Sequence, residues 1–131
     1  MLQANGPFEV QIAPQAQDEA EGSTLGRMAL DKQFQGDLTA TGKGTMLTAG
    51  TAAGSAVYVA IERVSGTLHG RSGTFVLVHN GSMTSQSQQL TVTVAPDSGT
   101  GELAGLAGEL AISIVDGQHM YSLTYSLAAE A

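Results

Sequence analysis

The sequence contains no cysteine and only three histidines in 131 residues. The absence of cysteine excludes a disulfide scaffold, thiolate catalysis and every cysteine-ligated metal or iron–sulfur site. The histidines, His69, His79 and His119, are widely spaced along the chain, which argues against a zinc site. We therefore expect the protein to act without a metal or a cofactor.

Positive charge and aromatic rings are also scarce. Five Lys and Arg residues stand against twelve Asp and Glu residues, the formal net charge is −7, and aromatic residues make up 5% of the chain, with no Trp. A net negative charge repels phosphate backbones and anionic membrane surfaces. Few aromatic rings leave few platforms on which bases could stack. We therefore expect neither nucleic acid nor a membrane as a partner.

Long apolar runs are missing as well. The segment Met1–Pro7 has neither the basic nor the apolar region of a signal peptide. No apolar run approaches the ~20 residues that a helix needs to span a bilayer. These features predict a soluble, cytoplasmic protein. Its 131 residues are the size of a single domain, which we expect to comprise residues 1–131.

The dominant pattern is alternation with a period of two residues, which is typical of β-strands, and helical periodicity is nearly absent. The first predicted strand alternates Phe8, Val10 and Ile12 with polar residues and ends near Pro14. The second carries apolar residues on one face, with a lysine among them: Met28, Leu30, Lys32 and Phe34. Between these strands, Gln15–Ser23 holds three acidic residues and no apolar stripe, which predicts a solvated connection.

The segment Ala56–Gly81 is predicted to form a hairpin with two apolar faces. One face of its first strand carries Val57, Val59 and Ile61, and the other face carries Tyr58, Ala60 and Val64. A strand that is apolar on both faces needs a cover on both, from the core and from another element or subunit. We therefore expect a homo-oligomer, most simply a dimer.

The register of this hairpin depends on the position of its turn. A turn centred on Arg71 places Arg63 opposite His79, and it places Glu62 opposite Asn80. In that register Glu62 faces away from Arg63 and His79, because successive side chains of a strand point to opposite faces. A single site containing all three residues would then need a β-bulge or a contribution from elsewhere.

The C-terminal hairpin has a clear turn signal. Asp116–Gly117 is a preferred dipeptide of two-residue turns, and pairing outward from it sets Ile114 opposite His119, Ile112 opposite Tyr121 and Leu110 opposite Leu123. About eight short strands with Gly-rich turns and no intervening helices predict an all-β sandwich or barrel. We favour an antiparallel up-and-down barrel, because closure removes the edge strands.

Two sequence motifs can be set aside. The segment Gly99–Ala104 reads as G-x-G-x-x-A, but a dinucleotide-binding fingerprint requires a long helix next, and Gly105 and Gly108 prevent one. We expect at most one helical turn there. The sequence contains no G-x-S-x-G, which excludes the nucleophile elbow of serine hydrolases.

Three segments together resemble a bacterial domain-of-unknown-function family, number 3224: Phe34–Leu38, Gly54–Gly81 and Asp97–Leu106. The resemblance covers nearly the whole chain. It implies a calycin-like barrel similar to plant allene oxide cyclase and, more distantly, to the dirigent proteins. The family has no established catalytic residues to carry over, and the cyclase's own motifs are absent here, so the resemblance implies a fold and no reaction.

The best candidates for chemistry lie in the predicted central hairpin. Glu62 and His79 are the candidate general acid or base, with Arg63 beside them as a cationic anchor for a ligand. Further candidates for ligand binding are Tyr58, Tyr121 and Arg71. Structural roles compete with each of these: Arg63 as a paired charge, Glu62 as an outward partner of a basic residue, Tyr121 as core filling and His119 as an ordinary residue beside a turn.

Two functions from different classes fit this pattern. In the first, a small barrel binds an apolar or amphiphilic metabolite and isomerises or cyclises it. In the second, a barrel filled with side chains is a non-enzymatic, self-associating module whose central hairpin forms the interface. An internal void of at least ~300 Å³ bordered by Glu62 and His79 would favour the first function.

Overall fold

The structure, a computed structural model, describes residues 1–127, so the last four residues of the predicted domain 1–131 lie outside it. Eight β-strands and one short 3-10 helix make up the described part. The strands are β1 Leu2–Ala20, β2 Ser23–Phe34, β3 Leu38–Thr51, β4 Ala56–Leu68, β5 Arg71–Met83, β6 Gln88–Val94, β7 Ala107–Val115 and β8 Gln118–Ser126. The 3-10 helix, Gly101–Leu103, is the single helical turn expected near Gly99. Within residues 1–127 no helix is long and apolar enough to cross a membrane.

The eight strands form one antiparallel sheet that closes into a ring. Each strand pairs with the next along the chain, and β8 pairs with β1 through Leu2–Pro7. The predicted all-β antiparallel architecture of about eight strands is thereby confirmed. The joints differ in strength, because in the described chain β6 and β7 are joined by one residue pair, Thr93 with Glu109.

One end of the ring is closed by side chains. We call it the closed end; it contains the β2–β3 and β4–β5 turns and the loop that follows β6. Leu103 and Leu106 from that loop are buried against the core, and the Ser72 amide donates a hydrogen bond to Glu102 Oε1. Much of the apolar core lies towards this end: Phe34, Leu38, Leu68, Phe75, Leu77, Leu123 and Tyr125. The opposite, open end contains the β3–β4 and β7–β8 turns.

The acidic segment after Pro14 differs from its prediction. Instead of a connection, it continues β1 as far as Ala20 and pairs with β2, after a register irregularity between Pro14 and Ala16. Its residues are exposed, as expected. A strand can form here without an apolar stripe because backbone hydrogen bonds to β2 supply the pairing, and the irregularity accommodates a proline that cannot donate one.

The register predicted for the central hairpin was wrong. The turn is the two-residue loop His69–Gly70, with φ of 47° and 81°, so that Ala60 lies opposite His79 and Glu62 opposite Leu77. The shift from the expected pairing is an odd number of residues, which moves one strand's side chains to the other face. Glu62 and His79 consequently share the inner face of the ring, without any bulge.

The register predicted for the C-terminal hairpin is confirmed. Asp116 and Gly117 have φ of 51° and 79°, the backbone conformation that a two-residue turn of this kind requires. All three expected pairs are present: Ile114 with His119, Ile112 with Tyr121 and Leu110 with Leu123.

Candidate functional site

A cavity of about 320 Å³ occupies the interior of the ring towards the open end. All eight strands contribute side chains to its wall, and most of these side chains are apolar. The lining residues are Phe8, Val10, Ile12, Leu30, Lys32, Met46, Tyr58, Ala60, His79, Leu90, Ile112 and His119. A ring of eight strands is just wide enough to enclose one small ligand if its interior is not filled by side chains.

A cluster of three buried ionisable residues lies at the inner side of this cavity. Glu62 Oε1 accepts a hydrogen bond from Lys32 Nζ at 2.8 Å and contacts His79 Nε2 at 2.6 Å. Glu62 is fully buried, and Lys32 and His79 are 5% and 3% exposed. We call these residues the Lys32–Glu62–His79 cluster. Within residues 1–127, no other charged or histidine side chain is buried to this degree.

Two glycines of β3 allow the cluster to form. Lys32 on β2 and Glu62 on β4 are separated by β3, where Gly42 pairs with Lys32 and Gly44 pairs with Glu62. Neither glycine carries a side chain that would stand between the ammonium and the carboxylate. The lysine can therefore reach across one strand and bond directly to the glutamate.

The charge of the cluster follows from opposing effects on the Glu62 carboxyl. Burial alone would raise the pKa of Glu62, but the hydrogen bond to His79 and the positive charge of Lys32 outweigh it and leave this pKa below its ordinary value. Glu62 is therefore an ionised carboxylate at neutral pH. Its second oxygen, Oε2, is buried without a hydrogen-bond partner in the described chain.

Two aromatic rings lie close to the ammonium group of Lys32. Lys32 Nζ lies 5.5 Å from the ring centroid of Phe8 and 6.0 Å from that of Phe34, and the two rings are 5.6 Å apart. The negative faces of aromatic rings attract a cation, more strongly where water is excluded. These contacts offset part of the cost of burying the ammonium group.

Tyr58, a predicted ligand-binding residue, projects into the cavity from β4. Tyr58 pairs with Gly81 on β5, and its ring lies against this glycine. A β-carbon added at position 81 would lie 2.3 Å from Tyr58 Cε1, so the ring occupies space that only glycine leaves free. Burial raises the pKa of the Tyr58 hydroxyl, so it stays protonated at neutral pH. The structure thus brings two predicted site residues, Tyr58 and His79, to the wall of one cavity, and it places the third, Glu62, behind this wall in contact with His79.

The other three predicted site residues lie elsewhere. Arg63 is exposed on the outer face of β4, because it follows the inward-pointing Glu62. Arg71 is exposed at the start of β5, at the closed end. Tyr121 is buried, and its hydroxyl accepts a hydrogen bond from the Leu38 amide at 2.8 Å and donates one to the Gln35 carbonyl at 2.6 Å. These bonds hold the β2–β3 turn and leave the Tyr121 hydroxyl outside the cavity wall.

Of the four polar residues on the cavity wall, two were not identified as site residues from the sequence, Lys32 and His119. Lys32 alternates in phase with Leu30 and Phe34, so its position on a buried face was visible in the sequence, although its partner was not. His119 is half-buried at the cavity mouth, with its ring 5.3 Å from that of Phe8. Its place beside a turn is typical of an ordinary surface histidine. The sequence around that turn does not reveal the cavity, because side chains from all eight strands form the cavity wall.

Comparisons with known proteins identify relatives of unknown function. The sequence model of a family described as "Protein of unknown function (DUF3224)" matches residues 4–125. A solved structure, of a protein with unknown function from the DUF3224 family of Shewanella oneidensis MR-1, is 49% identical in sequence with a TM-score of 0.91. The match covers 98% of this chain and 99% of that chain. A search of curated proteins found no match.

Proposed function

This chain belongs to the DUF3224 family, whose description assigns no activity, and we propose from its own cavity that it binds a small apolar or amphiphilic molecule inside the ring. The cavity of about 320 Å³ is the observation that supports this proposal. Ligand sites are mostly apolar concavities with a few polar groups that fix orientation. Lys32, His79 and Tyr58 supply such polar groups here.

Two finer points belong to the same proposal. We propose that the ring is a calycin-like barrel of the allene oxide cyclase type, and that the protein acts in the cytoplasm, as the sequence predicts. The closed antiparallel order of its strands supports the first point. Neither point assigns the cyclase's reaction to this chain.

Indole binding tests the proposed function. Indole is uncharged and small enough for the cavity, and its fluorescence can be read directly because the protein contains no Trp. We expect Ala60→Leu to abolish binding, because Ala60 lines the cavity and is 2% exposed. The matched control is Ser65→Leu on the exposed outer face of the same strand, which should bind as the wild type does. Wild-type protein that binds no uncharged probe, or an Ala60→Leu variant that binds normally, would contradict the proposal.

Self-association is a second candidate function, favoured by the outer face of β2–β4. Val57, Val59 and Ile61 are 51%, 49% and 62% exposed. This apolar surface continues onto β3 through Leu47 and Ala49, which pair with Val59 and Val57. It extends to Leu25 on β2, which pairs with Ala49. Contiguous exposed apolar patches on soluble proteins often mark interaction surfaces. We propose that a second copy of the chain covers this face in a homodimer.

Light scattering tests the proposed dimer. We expect the wild type to have the mass of a dimer at micromolar concentration and Val59→Lys to have the mass of a monomer. Ser113→Lys, at an exposed position of β7, is the control and should leave the mass unchanged. A monomeric wild type would refute the interface, whereas indole binding would be unaffected by that result.

A further inference from the structure

The hydrogen bonding of His79 leaves one ring nitrogen available to a ligand. Nε2 contacts the ionised Glu62 carboxylate, which can only accept a hydrogen bond, so Nε2 carries the proton. In a neutral ring Nδ1 then has a free lone pair. Within residues 1–127, Nδ1 makes no hydrogen bond and is not fully buried. It therefore reaches open space, and the cavity that His79 lines provides this space.

Lys32 complements this lone pair with positive charge and free donors. Its ammonium group has three N–H bonds, of which one is used by Glu62. Because Lys32 Nζ and His79 Nε2 contact the same carboxylate oxygen, the ammonium and the imidazole are neighbours. The cluster thus presents a cation and a base to the same cavity, and it carries no net charge while His79 is neutral.

We propose that the Lys32–Glu62–His79 cluster binds the acidic hydroxyl of a phenol or enol and holds it as the oxyanion. The O–H bond breaks, its proton bonds to His79 Nδ1, and the oxygen keeps the electron pair and lies beside Lys32 Nζ. No further reactant is needed. This inference rests on the proposed function, because it requires the ligand to occupy the cavity.

The charges favour such a ligand over a neutral one. After proton transfer the oxyanion is balanced by Lys32 and the imidazolium by Glu62, so the buried site remains neutral in total. A carboxylate hydrogen-bonded to a histidine stabilises the imidazolium that forms. Within the described chain, the other titratable groups on the wall are the Tyr58 hydroxyl and His119 at the mouth. The apolar wall suits the carbon skeleton of a phenol or enol.

The same arrangement would also stabilise the enolate of a ketone. An enolate is the anion that a ketone forms when a base removes a proton from the neighbouring carbon. A site that stabilises an enolate beside a base can therefore take a proton from one carbon and return it to another, which isomerises the ligand with no oxidant or reductant. This is the chemistry to which the cluster is suited.

4-Nitrophenol is the probe that tests the inference, because its phenolate is yellow and its neutral form is not. The cavity holds about ten water-sized atoms at ~30 Å³ each, which is close to the size of this molecule. We expect the protein to turn it yellow at a pH about one unit below the pKa of the free phenol. The cation and base should lower the bound phenol's pKa by about 1–3 units. 4-Nitroanisole, the methyl ether, has no proton to transfer and serves as the matched uncharged ligand.

Each outcome is decisive. The inference is supported if both compounds bind and the bound nitrophenol is the yellow phenolate. The variants His79→Gln and Lys32→Met should then bind nitrophenol in its colourless, neutral form. Lys43→Met, on the exposed outer face of β3, should behave as the wild type. Binding of both compounds with nitrophenol still colourless would overturn the inference and leave the proposed function intact. If neither compound nor indole binds, the proposed function itself fails. The wild-type comparison needs no variant, so misfolding of a variant cannot obscure it.

Discussion

Gly42 and Glu62 are in such close contact that a β-carbon at position 42 would lie 2.3 Å from Glu62 Oε2. It would also lie 3.2 Å from Phe34 Cε2. A carboxylate at the end of a side chain can usually move aside. Here it is fixed by hydrogen bonds to Lys32 and His79, so that a larger residue at position 42 must break the cluster or shift the strand.

Gly42→Ala should therefore destabilise the protein by about 1–3 kcal/mol, the usual cost of overpacking. Urea unfolding measures this difference in the free energy of unfolding. Gly50→Ala is the matched control on the same strand, because an added β-carbon there meets nothing within 4 Å. The control should be neutral or stabilising by up to about 1 kcal/mol. Equal stability of the two variants would show that the Glu62 carboxylate moves freely.

Glu62→Gln should change how stability depends on pH. The folded-state pKa of Glu62 is lowered, so its contribution to stability is complete above pH 4.5, the ordinary value, and is lost as the pH falls through the folded-state pKa. The variant should be less stable than the wild type at neutral pH, by about 3–5 kcal/mol, because Lys32 stays buried without a charged partner.

This difference between the two proteins should shrink as the pH falls below 4.5. Urea unfolding at a series of pH values measures it. Glu9→Gln, at an exposed position of β1, provides the control and should follow the wild type throughout. A stability difference that is the same at every pH would mean that Glu62 is not ionised in the folded protein.

Lys32→Met should be less stable to unfolding than the double variant Lys32→Met/Glu62→Leu, although the double variant changes more residues. The single change leaves a buried carboxylate without its cation and should cost about 3–5 kcal/mol, whereas removing both charges is often neutral or stabilising. We therefore expect the double variant to be more stable than the single one in urea unfolding. A double variant whose loss equals the sum of both single losses would indicate that the two charges do not interact.

Tyr121→Phe should destabilise the β2–β3 turn. It removes the hydroxyl that accepts a hydrogen bond from the Leu38 amide and donates one to the Gln35 carbonyl. An unpaired buried donor costs about 1–3 kcal/mol. Tyr58→Phe is the control, since the Tyr58 hydroxyl makes no hydrogen bond within the described chain and is not fully buried there, and its effect should stay within about 0.5 kcal/mol. Thermal unfolding of the two variants compares them directly.

The sequence predicted local structure well where one turn determines the pairing. Asp116–Gly117 permits essentially one short hairpin, and all the pairs expected from it are present. The β4–β5 turn was misplaced because its first residue is His69, a residue that adopts a positive φ less often than glycine or asparagine. Gly70 was the available signal. The error had a large effect because an odd shift moves every side chain of a strand to the other face.

The candidate site was only partly predictable for a different reason. The polarity of Lys32 on an apolar face was visible in the sequence, and so was that of Glu62 in an apolar run. Their contact was not, because it spans an intervening strand and depends on Gly42 and Gly44. Single-strand patterns contain no information on which residues of non-neighbouring strands meet inside a closed sheet.

The single residue pair between β6 and β7 is the weakest joint of the ring within the described chain. Along the other joints, runs of backbone hydrogen bonds fix the distance between neighbouring strands, but in the described chain Thr93 and Glu109 alone fix it here. A cleft of about 510 Å³ already lies along this joint, beside Val92 and Leu110. Widening the ring at this joint would break few hydrogen bonds, so we expect any change in its circumference to occur here and to leave the closed end undisturbed.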